Sequence, residues 1–174
     1  VRAAPRARGS PMQDSVLLVA AVAALYTLIA VGWRLLSRVR MKMHWDAGRA
    51  ALERGDLESA AVAYAKCVAL EPMWAVARSM LAGTLARMGR GEEGEREARL
   101  VAEMNPRDPE SWRALCMFYA LFMPEREGET RAAFEELRRL DPAAADKFLR
   151  DPDIARRAPH LGAVLPPSGG GAPV

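Results

Sequence analysis

The chain has 174 residues, of which 51% are hydrophobic and only 6% aromatic, a balance that suits one domain of closely stacked thin helices with short extensions. Its net charge of +3 is uneven, because residues 1–43 carry +6 and residues 44–150 carry −3. This excludes the basic stripe with interspersed aromatics that a nucleic-acid-binding domain needs, so we expect no nucleic-acid partner.

The N-terminus combines a polar tail with an apolar stretch. Residues 1–14 are rich in Arg, Ala and Pro and are predicted to be disordered. Residues 15–33 contain no charge, and 19 helical residues rise about 28 Å, close to the hydrocarbon thickness of about 30 Å. We therefore predict a transmembrane helix over 15–36, with Trp33 at one interface. A cleaved signal peptide is the alternative, but the long apolar run and the basic cluster after it favour an anchor.

Flanking charge predicts the orientation of this helix. Positive residues follow the uncharged stretch 15–33 at Arg34, Arg38, Arg40 and Lys42 and precede it at Arg2, Arg6 and Arg8. The count favours a cytoplasmic location for the residues C-terminal to the helix, and two cysteines without a C-x-x-C spacing agree with a reducing compartment. Within the span, Ala20 and Ala24 form a small-x-x-x-small pair that a partner helix can approach. We expect the helix to run on without a linker.

A helical repeat begins at His44. Its two amphipathic halves meet at Gly55-Asp56 and end at Pro72. Thirty-four residues further on, glycine and proline return at Gly89 and Pro106. A third copy ends at Pro142 and has two extra residues, which we expect in the turn 123–128.

These units resemble tetratricopeptide repeats. The first matches the family pattern at Gly48, Gly55, Ala60, Tyr64 and Pro72, and the third at Trp112, Leu115, Tyr119, Phe134 and Pro142. The second departs from it at Gly94 and Ala98. The resemblance implies an all-α superhelix of three repeats over 37–142 (about 41–72, 75–106 and 109–142), with a generic helical bundle as the alternative.

The remaining chain is predicted to close the array. Residues 143–158 are expected to form a helical cap, in which Asp151-Pro152 interrupts the helix before a further turn over 154–158, and residues 159–174 a flexible tail. Cys67 and Cys116 fall on inward-facing positions and are expected to be buried thiols. The pair Glu95 and Arg99 is expected on a solvated helix face.

The resemblance also implies a concave groove for a protein partner, lined by the first helix of each repeat. The expected lining residues are Trp45, Arg49, Leu52, Ser79, Gly83, Ala86, Arg113, Met117 and Ala120. Chaperone-associated repeats use Lys, Asn and Arg here to hold a C-terminal carboxylate, whereas this chain has Trp45, Gly83 and Met117. We expect an amphipathic helix or an extended apolar segment instead, with the two groove arginines pairing its acidic residues. Ordinary packing between repeats is the alternative role for these residues.

The sequence offers no catalytic, metal or cofactor motif. His44 and His160 are the only histidines, and no nucleotide-binding, zinc-protease or nucleophile-elbow pattern occurs. We therefore expect no enzyme, no cofactor and no small-molecule substrate. The favoured function is a single-pass membrane adaptor, similar in layout to bacterial inner-membrane proteins with an N-terminal anchor and cytoplasmic repeats. A permanent structural subunit held by its transmembrane helix is the alternative, and a periplasmic or organellar domain is a third possibility.

Overall fold

A computed structural model describes residues 11–164, and this part of the chain is helical with no strand. Eight α-helices occur in order: α1 Pro11–Glu53, α2 Leu57–Leu70, α3 Ala75–Arg87, α4 Gly91–Met104, α5 Pro109–Phe122, α6 Glu127–Leu140, α7 Pro142–Leu149 and α8 Pro152–Arg157. A 3-10 helix over Pro159–Val164 ends the described part. The chain divides into two compact units, one up to Lys42 and one from Met43 onward.

Helix α1 contains the apolar stretch. It begins at Pro11, a residue that suits the first helical position because its missing N–H has no partner there anyway. Residues 11–14, predicted as part of the tail, are therefore helical, while residues 1–10 lie outside the described part. The helix continues past 36 without a break, as expected, because no proline interrupts it before Glu53. By length and composition, α1 is able to cross a membrane.

Three antiparallel helix pairs come next, as the repeat period predicts. The first pair joins the end of α1 to α2, where Gly48 and Trp45 contact Tyr64. The second pair is α3 with α4, and the third is α5 with α6. Gly55 and Gly89 have φ of 77° and 79° in the first two turns, a conformation that glycine adopts without steric cost. The third repeat gains one of its extra residues in α5 and the other in the turn before α6, so only half of the insertion lies where the sequence suggests.

Aspartates next to proline start several helices. Asp108, Asp141 and Asp151 precede the first residues of α5, α7 and α8, and each side chain accepts a hydrogen bond from a backbone N–H of the first turn. The carboxylate satisfies a donor that the helix itself leaves unpaired, and proline fixes the backbone for the next residue. These caps set the starts of the third repeat and of the C-terminal helices.

Small residues set how closely the paired helices approach. A Cβ at Gly48 would lie 2.8 Å from Cε1 of Tyr64, whose ring is fully buried. A Cβ at Gly94 would lie 2.6 Å from the carbonyl oxygen of Ala82. The departure of the second repeat from the family pattern at position 94 therefore has a cause, since α4 touches the backbone of α3 there.

The C-terminal cap is longer than the sequence predicts. Two helices, α7 and α8, occupy the predicted cap over 143–158, and α8 begins at Pro152, where the Asp151-Pro152 break is expected. Residues 159–164, placed in the flexible tail by the sequence, form the 3-10 helix, and the side chain of Leu161 is 0% exposed. This apolar side chain joins a core cluster with Phe134, Phe148 and Ile154, which removes their surface from water. Residues 165–174 lie outside the described part.

Candidate partner-binding surface

An open cleft lies between α5 and α7. It has a volume of about 540 Å³ and is open to solvent. Its lining residues are Glu110, Arg113, Met117, Asp141, Ala143, Ala144, Lys147, Phe148 and Asp151. Two residues of the predicted groove, Arg113 and Met117, therefore share a surface with residues of the C-terminal cap.

Charges at the rim of the cleft are largely engaged with each other or with the backbone. The Arg113 guanidinium donates two hydrogen bonds to Glu110, at 2.8 Å from Nε and 2.5 Å from Nη2. This pairing raises the pKa of Arg113 above its ordinary value, so the group stays charged. Asp141 and Asp151 cap α7 and α8. An acidic partner would have to compete with Glu110 for Arg113.

The floor of the cleft is apolar. Met117 is half-buried, Phe148 is 4% exposed, and Ala144 at the start of α7 lines the same cleft. Met117 and Ala144 both pack against the main core cluster. Flexible methionine adapts to irregular apolar surfaces, and short alanines on α7 leave the space open. The cleft thus combines an apolar floor with a rim of both signs.

Predicted groove residues of the first repeat have other neighbours. The Trp45 ring lies 4.8 Å from the Trp74 ring and 5.5 Å from the Tyr64 ring, centroid to centroid. Leu52 packs against the cluster around Tyr64, Leu81 and Leu85. These two side chains therefore pack the first repeat against the second. Arg49 remains exposed, with Nη2 3.8 Å from Glu53.

In the second repeat, Ser79 and Gly83 are half-buried. Ser79 lines a narrow space of about 20 Å³ with Ala82, Ala98, Ala114 and Phe118. The Gly83 backbone faces the Phe122 ring, which would lie 3.7 Å from a Cβ there. Ala86 packs against the same core cluster. These positions hold α3 against α5.

Ala120 departs from the sequence expectation. Only 2% of its surface is exposed, since it belongs to the core cluster with Leu115 and Tyr119. A side chain at this depth presents no surface to a partner. The predicted lining therefore separates into the exposed Arg49, packing or buried residues in all three repeats, and the pair Arg113 and Met117 in the cleft.

Glu95 also differs from expectation, because its exposed fraction is 8%. The Tyr119 hydroxyl and the Arg99 Nε each donate to its Oε1 at 2.9 Å. The Arg126 guanidinium lies 3.6 Å from its other oxygen. This network joins α4 to the third repeat, and burial together with the nearby carboxylate raises the pKa of Tyr119 above its ordinary value.

Sequence reasoning did not find the contribution of α7 to the cleft. The sequence predicts a cap covering the last repeat, and Phe148 does pack on Phe134, with centroids 6.3 Å apart. The signal in the sequence is the run Ala143-Ala144-Ala145, whose small side chains cannot fill the space beside α5. Only the packing of α7 shows that two of these alanines line an open cleft.

The two cysteines and the metal-ligating residue types can be assessed from their surroundings. Both cysteines are buried thiols, as predicted, and burial raises the pKa of Cys116 to about 12 and that of Cys67 above its ordinary value. A protonated, inaccessible thiol is a poor nucleophile. Within residues 11–164, no group of three or more His, Cys, Asp or Glu side chains has a geometry that could hold a metal ion.

Solved structures share this architecture. The first tetratricopeptide-repeat domain of Spaghetti (RPAP3), bound to the HSP90 peptide SRMEEVD, is 14% identical, with a TM-score of 0.55 over 72% of this chain and 92% of that one. The Sgt2 domain from Aspergillus fumigatus is 17% identical, with a TM-score of 0.53 over 77% and 89%. The first such domain of human RPAP3 is 17% identical, with a TM-score of 0.52 over 74% and 97%. No protein-family model and no curated protein sequence matches the chain.

The likeness to these domains shows the fold. Residues 43–140 form tetratricopeptide-like helical repeats, and the chain enters them through one long apolar helix.

Proposed function

We propose that this chain is a membrane-anchored adaptor, in which α1 crosses a membrane and the repeats dock a partner protein. The observation that supports docking most directly is the open cleft between α5 and α7, built on a fold whose solved RPAP3 example binds a peptide. A cleft of about 540 Å³ accommodates several side chains of a partner segment. We assign the contact to Arg113 and Met117, with Arg49 as an outlying charge.

The chemistry of the cleft favours an amphipathic helix or an extended apolar segment. Apolar side chains of the partner would cover Met117 and Ala144 and gain burial. Arg113 already donates two hydrogen bonds to Glu110. An acidic group of the partner would therefore either displace Glu110 or accept a hydrogen bond from the remaining edge of the guanidinium. The chain departs from carboxylate-binding repeats because Trp45, Gly83 and Met117 stand where those repeats use Lys, Asn and Arg.

Anchoring by α1 has support of its own. Large apolar side chains from Val16 to Val31 are exposed along the helix, and only a lipid or a partner helix would remove them from water. The Thr27 hydroxyl donates to the Ala24 carbonyl oxygen at 2.7 Å, which satisfies a polar group inside the apolar stretch. The positive charges after the apolar stretch favour a location of the repeats on the cytoplasmic side, as in a bacterial inner membrane.

An anchor-exchange experiment distinguishes partner binding through α1 from partner binding through the repeats. Residues 1–40 are replaced by an unrelated membrane anchor, and the proteins that co-purify from detergent-solubilised native membranes are compared with those of the full chain. The adaptor proposal expects the same partners with both versions. Partners that accompany only the native anchor would support the alternative, a structural subunit held through α1, for which large residues at Ala20 and Ala24 should then cause release.

The cleft is tested by two substitutions. Arg113→Glu places a second carboxylate beside Glu110, and Met117→Glu puts a charge on the apolar floor, so either should weaken partner recovery at least tenfold. Arg131→Glu, on the exposed face of α6, is the control and should leave recovery unchanged. Equal recovery with all three variants would exclude this cleft as the docking surface.

A further inference from the structure

The segment directly after the apolar stretch of α1 carries a cluster of arginines without counter-charges. Arg34, Arg38 and Arg40 are exposed, and none of the three makes a hydrogen bond or an ion pair within the described residues. No Asp or Glu occurs anywhere between Asp14 and Asp46. The cluster therefore has an unbalanced positive charge.

Helix geometry fixes where these charges lie. Because α1 is continuous here, Arg34 to Arg40 spans about 9 Å along the helix axis. The headgroup region on one side of a bilayer is about 5–8 Å thick, so the three guanidinium groups cover this depth when Trp33 lies at the edge of the hydrocarbon.

Apolar side chains alternate with the arginines around the helix. Leu35, Leu36 and Val39 are 58%, 46% and 57% exposed. Leu35 and Val39 are one turn apart and share a face, as do Arg34 and Arg38 on the neighbouring face. Such a helix segment is suited to the boundary between acyl chains and headgroups, where long arginine side chains extend toward the phosphates.

From this placement we infer that residues 34–40 form a binding site for anionic phospholipid headgroups, with Arg34, Arg38 and Arg40 as the phosphate-binding groups. The inference rests on the proposed insertion of α1 into a membrane and adds a lipid preference to it. Guanidinium groups bind phosphate oxygens in a bidentate manner, and an anionic leaflet adds electrostatic attraction that falls with salt. Phosphatidylglycerol should therefore be enriched around this segment over phosphatidylcholine.

The test uses the full chain reconstituted in vesicles, with Trp33 as the reporter. Quenching by dibrominated phosphatidylglycerol is compared with quenching by dibrominated phosphatidylcholine, and the signal of a Trp33→Phe variant is subtracted. One arginine near an anionic surface is worth about a fivefold change in partition, so we expect a relative binding constant of about five or more. The triple variant R34Q/R38Q/R40Q should lower it to about one, as should 1 M salt.

A matched triple variant, R87Q/R107Q/R131Q, removes the same charge from exposed positions of the repeats and should keep the preference. If the native chain shows no preference, or if R34Q/R38Q/R40Q retains it, the lipid site is overturned while the anchor stands. If neither brominated lipid quenches Trp33, the helix is not in the bilayer, and both the lipid site and the proposed anchoring are overturned.

Discussion

Gly94 occupies the closest approach between the two helices of the second repeat. Gly94→Ala would place Cβ 2.6 Å from the backbone oxygen of Ala82 and 3.1 Å from the Phe118 ring, and a backbone atom cannot move aside easily. We expect a loss of about 1–3 kcal/mol in unfolding free energy, although alanine is the better helix former and is usual here in the family. Urea unfolding of the full chain in detergent, monitored by circular dichroism, measures it.

Gly128→Ala in α6 is the control for Gly94. No atom lies within 4 Å of its Cβ position, so the variant should be neutral or more stable by up to about 1 kcal/mol. Equal effects of the two substitutions would contradict a steric role for Gly94.

Cys116 makes the stability depend on alkaline pH. Burial raises its pKa from 9.0 to about 12, so the unfolded chain loses this proton at a lower pH than the folded chain does. The stabilisation is complete below pH 9 and decreases by about 1.4 kcal/mol per pH unit as pH rises toward 12.

Replacement of Cys116 by alanine isolates this contribution. Tyr64, Tyr119 and Cys67 also have raised pKa values, so the native chain and Cys116→Ala should both lose stability at high pH. Between pH 9 and 12, the unfolding free energy of the variant should fall less steeply with pH than that of the native chain. The difference should correspond to about one proton and is measured by urea unfolding at each pH. If the two plots of unfolding free energy against pH are parallel, folding does not raise the pKa of the Cys116 thiol.

At the scale of helices, α7 depends on its cap. The Asp141 carboxylate accepts a hydrogen bond from the Ala144 N–H at 2.9 Å, one of the donors that the helix leaves unpaired. Asp141→Ala should cost about 0.5–2 kcal/mol of unfolding free energy, and Asp141→Asn should recover most of it. Asp146→Ala, at an exposed position within α7, should change stability little, and a cost equal to that of Asp141→Ala would argue against capping.

The helices differ in how far their sequence determined them. The period of 34 residues, the turn glycines and the closing prolines predicted the three pairs, because local backbone preferences and amphipathic spacing fix where a helix begins and ends. The burial of Glu95 was not predictable in this way. Its i,i+4 partner Arg99 suggests an exposed pair, and only the approach of α5 brings the Tyr119 hydroxyl to it.

The whole repeat array ends in a packed cap that includes the 3-10 helix. Leu161 is fully buried in the core cluster, so Leu161→Ala should cost about 2–5 kcal/mol, whereas a flexible tail would give no change. Leu70→Ala, at a residue 38% exposed, is the matched control and should cost less than about 1 kcal/mol. Chemical unfolding of the full chain compares them.

The sequence by itself determined the helical class, the three repeats and an apolar helix of membrane-spanning length, because periodicity and composition are local properties. Tertiary structure decided which residues of the predicted groove are accessible. Ala120 is buried, Trp45 and Leu52 pack between repeats, and Arg113 with Met117 remains beside an open cleft. Helical spacing gives the face on which a side chain lies, but its exposure depends on what other helices cover, and here α7 borders the cleft without filling it.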